Sequence, residues 1–162
     1  TRLAKGSNLQ VLEMSSAGAV AWGGPVGCVV SYDDQSIAGD GNNYDLSTVG
    51  SESYDSHGFH TGSAKQIVIP AGFPTGWYHF NVICFWDSHG TAGTYRTLGL
   101  AMNTNIQAVT TVPNPSGGPA VWMSLDYMLS LAAGDSLTVF CSQASTGALY
   151  IRNVKAALFR VR

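Results

Sequence analysis

The chain has 162 residues with a formal net charge of −2, and 45% of its residues are hydrophobic while only 11% are charged. This length and hydrophobic fraction suit one folded domain with a substantial core and exclude a disordered chain. The scarcity of charged residues argues against a coiled coil or helical bundle and favours an all-β scaffold with many turns, and the weak net charge excludes the field that nucleic-acid-binding proteins use.

The first 25 residues differ from the rest of the chain. Glycine and serine clusters interrupt two short apolar pieces, Leu9–Leu12 and Ala19–Trp22, and Gly23-Gly24-Pro25 closes the segment. Such a segment is too short to bury a core alone. We therefore predict an extended arm or linker over residues 1–25 and a domain over residues 26–162.

From residue 26 onward, short apolar runs alternate with turn clusters at intervals of about ten residues, which is typical of a β-sandwich or barrel. The predicted strands are Val26–Tyr32, Gln66–Pro70, Trp77–Trp86, Thr97–Met102, Val121–Leu131, Ser136–Cys141, Ala148–Ile151 and Val154–Val161. In Val121–Leu131 the apolar residues fall on odd positions, as in a half-buried strand. A helix that uses Leu125, Met128 and Leu129 is the alternative for this segment.

Two of the predicted strands are apolar on both faces, in His79–Trp86 and in Val154–Val161. A strand of an antiparallel sandwich needs only one apolar face, so these strands imply a second burial partner, most simply another copy of the chain. The alternatives are that the arm or capping loops cover the extra surface. The residues predicted to form the core or the interface between copies are Tyr78, Phe80, Phe85, Leu158 and Phe159.

The acidic residues are unevenly placed, because six of the ten fall within residues 31–55 without a nearby lysine or arginine. A solvated acidic loop region is one interpretation. The other is a calcium site near Asp33, Asp40 and Asp45, since calcium prefers carboxylate and carbonyl oxygens. The spacing within Asp40–Asp45 does not match a known calcium loop, and we otherwise expect no cofactor.

The three cysteines, Cys28, Cys84 and Cys141, lie far apart in apolar runs and form neither a zinc pattern nor a disulfide framework. We predict inert core thiols and folding in a reducing cytoplasm. Since no apolar run reaches about 18 residues, we expect no membrane-spanning helix.

No catalytic constellation is visible in the sequence. Asp55, His57 and His60 lie close together, but neither a nucleophile-elbow motif nor a zinc-protease motif accompanies them. We predict that the protein is not an enzyme. Tyr54, Asp55 and His60 are instead expected to order a local loop or to lie near a subunit interface.

Several motifs, taken in order, resemble one superfamily. Ile67-Val68-Ile69-Pro70, followed after an insertion by Gly76-Trp77-Tyr78-His79-Phe80, resembles the I-x-I-P-x-x-G-x-Y-x-F pattern of complement globular-head and tumour-necrosis-factor-like jelly rolls. Further matching pieces are Arg96–Asn103, Leu131–Leu137, Phe140–Gln143 and Ala156–Val161. Glu52–His60 resembles a segment common in the bacteriophage branch of this superfamily. Gly6–Leu12 and Gly18–Trp22 are similar to linkers of phage tail fibres, although Leu9 stands where glycine is usual.

The resemblance implies an antiparallel jelly-roll β-sandwich of about ten strands with an N-terminal arm. It also implies a homotrimer whose strands pack along a three-fold axis, in a non-enzymatic structural protein of a phage virion that is made in the host cytoplasm. The arm would contact other virion proteins. As a tail fibre, head fibre, spike or minor tail protein, the trimer would display loops that attach to a host glycan or protein.

Loops at the end of a sandwich carry function on a rigid frame, and aromatic side chains there offer large contact area. The residues predicted to bind the receptor are Tyr44, Trp86, His89 and Tyr95, with core packing as the alternative for Trp86. Three other functions remain open: a capsid decoration or assembly module without a receptor, a secreted complement-like ligand, and a polysaccharide depolymerase.

Overall fold

The computed structural model of the protein describes residues 11–14, 20–23, 25–47, 49–60, 65–88, 95–113, 119–145 and 147–161. These residues form thirteen strands and no helix. The strands are β1 (Val11–Met14), β2 (Val20–Gly23), β3 (Gly27–Tyr32), β4 (Gln35–Ile37), β5 (Tyr44–Asp45), β6 (Val49–Asp55), β7 (Gln66–Val68), β8 (Gly76–Trp86), β9 (Tyr95–Met102), β10 (Asn105–Pro113), β11 (Val121–Leu131), β12 (Ser136–Gln143) and β13 (Leu149–Val161). In the described part of the chain, therefore, no helix is long and apolar enough to cross a membrane.

The strands build two antiparallel sheets around one core. The six-stranded sheet has the order β11-β8-β13-β3-β6, with β4 also pairing with β13, and the five-stranded sheet has the order β10-β9-β12-β5, with β7 also pairing with β12. Between β8 and β13 the chain crosses repeatedly from one sheet to the other, as in a jelly roll. The strands β1 and β2 pair only with each other, within predicted arm residues.

Alternation of buried and exposed side chains explains the two long central strands. In β8, the residues from Tyr78 to Trp86 at every second position have no exposed surface, and the intervening residues point away from the core. In β11 the apolar odd positions face the core in the same way, so this segment is a strand and the helical alternative is wrong. The predicted all-β sandwich is confirmed.

The last strand was predicted as two pieces, but the structure joins them into one. The ladder between β13 and β8 shifts register between Arg152 and Lys155, and Asn153 has a φ of 51°. This is a β-bulge, which bends a strand without ending its pairing. The polar residues at the bulge, Arg152 and Asn153, interrupt the apolar pattern, which is why the two predicted strands stop on either side of them.

The strand β10 was not predicted from the sequence. It pairs with β9 through a tight hairpin in which Asn103 and Thr104 have φ values of 48° and 72°. Positive φ at both central residues matches the twist of the flanking strands, and asparagine tolerates it well. Ile106 and Val109 of β10 are exposed and only Ala108 and Val112 pack against the core, so the strand has a weak inward apolar pattern.

Candidate interaction surfaces

The outer face of the six-stranded sheet carries an unusual amount of apolar surface. Trp77 and Trp122 are 58% and 60% exposed; each is the second residue of its strand, β8 or β11, so the two side chains lie at opposite ends of the antiparallel β8–β11 ladder. The rings of Trp122 and Phe85 lie 5.1 Å apart across the β8–β11 ladder. We call this surface the apolar face, and it is formed by Trp77, Ile83, Phe85, Trp122, Met128, Phe159 and Val161.

A small polar cluster lies within the apolar face. Asn81 Nδ2 donates to Asp126 Oδ1 at 2.8 Å, and His79 Nε2 lies 3.3 Å from the same oxygen. All three side chains come from outward positions of neighbouring strands, since Asp126 pairs with Asn81 and Met128 pairs with His79. Exposed pairs of this kind add little stability on their own. They do provide hydrogen-bonding groups, which are directional, on a face that otherwise offers mainly apolar contacts.

The predicted interface residues divide between the two sides of the six-stranded sheet. Tyr78, Phe80 and Leu158 are fully buried inside one protomer, so they belong to the core and offer no surface to a second copy. Phe85 and Phe159 lie half-buried on the apolar face, which is where an interface residue would have to lie. Their role in an interface stays a prediction. Trp77 and Trp122 were not among the residues predicted from the sequence to form an interface, although their alternation with buried residues indicates that they face outward.

Two of the four residues predicted to bind the receptor, Trp86 and His89, have no exposed surface that the structure describes. Trp86 ends β8 with no exposed surface, because the alternation of the strand places it on the core side with Phe80; core packing, the alternative given for this residue, describes it. His89 lies outside the described residues.

The other two, Tyr44 and Tyr95, are half-buried at the rim of the five-stranded sheet. Tyr95 begins β9 and lines a shallow depression on the outer face of that sheet, together with Asn43, Thr97, Val109 and Ser142. Tyr44 donates its hydroxyl to Asp40 Oδ2 at 2.6 Å. Their binding role stays a prediction.

The loop around Asp40 orders itself through hydrogen bonds. Asp40 accepts from the Tyr44 hydroxyl and from the backbone N–H and side-chain amide of Asn42, at 2.6, 3.0 and 2.9 Å. The bond from Tyr44, followed by the backbone bond from Asn42, holds the pKa of Asp40 below its usual value. Among the described residues no group of three or more His, Cys, Asp or Glu side chains could hold a metal ion. Calcium binding near Asp33, Asp40 and Asp45 stays an untested prediction.

Asp55 organises a second loop. Its carboxylate accepts from the backbone N–H groups of His57, Gly58 and Phe59 through Oδ1, and of His60 through Oδ2, at 2.8 to 3.1 Å. Burial raises the pKa of Asp55, but these four bonds outweigh it and leave the pKa below its ordinary value. His60 is buried beside Glu52, 3.2 Å away. The expected loop-ordering role of Asp55 is thus confirmed.

Arg152 forms ion pairs with acidic residues from two separate loops. Its guanidinium contacts Asp87 at 2.9 Å and Asp34 at 3.0 Å, and it lies 5.0 Å from the centre of the Tyr150 ring. Asp87 follows β8 and Asp34 follows β3, so a single cation joins the ends of two strands.

Comparison with known proteins identifies the fold. The chain is similar to PRD1 vertex protein P5, with a TM-score of 0.57 and 20% identity over 86% of this chain and 100% of that one. It is also similar to the globular domain of zebrafish complement 1qA protein, with a TM-score of 0.57 and 13% identity over 85% of this chain and 98% of that one. No protein-family model and no curated protein sequence matches it. At these identities the likeness establishes the fold, and it confirms the jelly roll that the motifs implied.

Proposed function

We propose that this chain is a non-enzymatic structural protein of a phage particle, and that it assembles as a homotrimer through the apolar face. The observation that carries the proposal is the pair of tryptophans, Trp77 and Trp122, that stand more than half exposed on a rigid sheet. The two tryptophans lie at opposite ends of the β8–β11 ladder, and Ile83, Phe85 and Met128 lie on the same face between them. Exposed apolar patches mark interaction sites in soluble proteins. The shared fold with a phage vertex protein supports the location in a virion.

A second copy of the chain is the partner that suits this face best. The face carries few charges, so it offers little to a partner that recognises charge. Its polar cluster contains both donors and acceptors, in Asn81 and Asp126, so it can complement the same cluster on a copy. The number three rests on the resemblance to the jelly-roll superfamily and on the fold.

Sedimentation of the purified chain tests the assembly. A single species of about three times 17.1 kDa at micromolar concentration is expected, and a clean monomer would contradict the proposal. Detection of the chain in purified phage particles by mass spectrometry tests the location. Its absence from the particles would contradict the virion role even if the trimer forms.

Display of loops for host attachment is the further part of the proposal. Tyr44 and Tyr95 lie at the rim of the five-stranded sheet, and Arg152 braces the nearby strand ends. The isolated trimer is expected to bind host cells or their wall glycans. A trimer that binds neither, but joins the particle, would instead be a decoration or assembly module.

Two alternatives have weaker support. A secreted complement-like ligand shares the fold, but nothing else in the described residues favours it over a virion protein. A polysaccharide depolymerase would need free carboxylates, whereas Asp55 accepts four backbone bonds and Asp87 is paired with Arg152. Release of reducing ends from host glycans, lost on Asp87→Asn substitution, would support the depolymerase and contradict the structural role.

A further inference from the structure

A single arginine is buried in the core without a counter-charge. Arg96 lies on the inward side of β9 and is 2% exposed. Its Nη1 donates to the Pro119 carbonyl at 3.0 Å, at the start of the connection into β11. Within the described part of the chain, its Nε and Nη2 atoms have no hydrogen-bond partner. Burial lowers the pKa of Arg96, as expected for a cation withdrawn from water.

The acidic side chains that the structure describes form their ion pairs with residues other than Arg96. Asp34 and Asp87 pair with Arg152, Glu52 pairs with His60, and Asp126 pairs with His79. Asp40 and Asp55 accept hydrogen bonds within their own loops, and Asp135 accepts from the Ala132 N–H in its own loop and from the Asn103 amide of the β9–β10 hairpin. The stretches between the described ranges contain no aspartate or glutamate. No carboxylate whose side chain is described therefore forms an ion pair with Arg96.

The groups beside Arg96 are polar but uncharged. Gln143 pairs with Arg96 across the β9–β12 ladder, and its amide nitrogen donates to the carbonyls of Ile37 and Gly147 at 2.9 and 2.8 Å. These bonds fix the amide nitrogen, while Gln143 Oε1 is a buried acceptor without a hydrogen-bond partner in the described part of the chain. The neutral amide adds no negative charge. Trp86 pairs with Val121, two residues after Pro119, and its indole N–H is buried without a partner among the described residues. A second unused donor thus lies at the same end of the core.

The unused edge of Arg96 has the shape of a carboxylate site. With Nη1 occupied, Nε–H and Nη2–H remain as two parallel donors, which is the geometry that binds both oxygens of a carboxylate. A buried water would satisfy the N–H groups but would leave the charge uncompensated, and unpaired buried charges are costly. We propose that the Nε–Nη2 edge of Arg96 binds a small carboxylate at this end of the sandwich. The carboxylate comes from a dissolved ion or from an acidic sugar.

Nuclear magnetic resonance of the full chain tests the site directly. Sodium acetate is titrated into ¹⁵N-labelled protein at constant ionic strength, and the Nε–H signal of Arg96 and the indole signal of Trp86 are followed. The expected result is a saturable shift of the Arg96 signal, with a rise in thermal stability that grows with acetate. No saturable shift up to 100 mM acetate, or an equal response to chloride, would overturn the proposal.

Matched variants distinguish acetate binding at Arg96 from a general effect of the protein's positive charge on the acetate response. Arg96→Gln removes the cation and should abolish the acetate response. Lys65→Gln removes one positive charge from an exposed position and should leave the response unchanged. If Arg96→Gln does not fold, Arg96→Lys keeps the charge but loses the two-donor edge, and at least a tenfold weaker response is expected. Retention of the full response in either Arg96 variant would overturn the proposal.

Glucuronate distinguishes the two sources of the carboxylate. A response to acetate alone identifies a dissolved ion, and a response to both acetate and glucuronate identifies a site that an acidic sugar can enter. Either result supports the Arg96 site. The inference does not depend on the proposed trimer, because the acetate response and the sedimenting mass are measured independently on the same sample.

Discussion

Removal of one exposed tryptophan should dissociate the proposed trimer. Trp122 is 60% exposed in the protomer. Since a tryptophan buries up to about 250 Å², roughly 150 Å² remains for a neighbouring copy to cover. At about 25 cal/mol per Å², this area is worth about 3–4 kcal/mol per protomer and about 10 kcal/mol for three copies, as an upper bound. Trp122→Ser should therefore weaken assembly by several orders of magnitude.

Sedimentation velocity across a concentration series provides the assay, with circular dichroism to show that the fold persists. Ile106→Ser is the matched control, because Ile106 is 58% exposed on the outer face of the five-stranded sheet. We expect Trp122→Ser to sediment as a monomer and Ile106→Ser to sediment as the wild-type protein does. The reasoning is refuted if Trp122→Ser keeps the trimer, or if Ile106→Ser alone dissociates it.

Three further predictions concern the stability of the protomer. In Gly99→Ala the new Cβ would lie 2.2 Å from Cζ of Phe140, so chemical denaturation should show a free energy of unfolding that is lower by about 1–3 kcal/mol. An additional Phe140→Leu substitution should restore part of this free energy. An unchanged stability of Gly99→Ala would contradict the packing. Because the folded pKa of Asp55 is depressed, its contribution to stability is complete above its unfolded pKa of about 4 and is lost as the pH falls through the folded value. Asp55→Asn should therefore lower the free energy of unfolding by about 1.5–3 kcal/mol at pH 7, and the variant should lose less stability than the wild type below pH 4. Parallel stability–pH profiles for the two proteins would contradict this prediction. Burial raises the pKa of Cys28 and Cys84 to about 12 and also raises that of Cys141, so the native protein should not react with a thiol reagent at pH 8 and all three thiols should react after unfolding; rapid modification of the native protein would show that the core opens.

The sequence predicted the central strands well because their side chains alternate. In β8 and β11 every second residue is large and apolar, and this period of two is visible without any tertiary information. The same alternation would have assigned Trp86 to the core and Trp77 to the outside, since they occupy opposite parities of β8. The error over Trp86 came from its position next to a loop and not from the pattern.

The features that the sequence missed depend on distant parts of the chain. The strand β6 is polar and lies at an edge of its sheet, so only its pairing with β3 reveals it. The burial of Arg96 depends on the carbonyl of Pro119, 23 residues away. Arginine is seldom buried, and neither local pattern nor composition signals that this one lies inside.

The outer faces of the two sheets differ in a way that orients the protomer within any assembly. On the outer face of the five-stranded sheet the Thr111 side chain is exposed and Thr97 and Ser142 are buried, while Ile106 and Val109 of β10 are 58% and 53% exposed. The six-stranded sheet presents two tryptophans, the polar cluster at His79, Asn81 and Asp126, and the exposed side chains of Ser124, Ser130 and Lys155. Water solvates hydroxyl groups well and indole rings poorly. In the proposed assembly, burial of the two indole rings therefore favours the six-stranded sheet as the inward face, which leaves the five-stranded sheet and the rim that holds Tyr95 facing the surroundings.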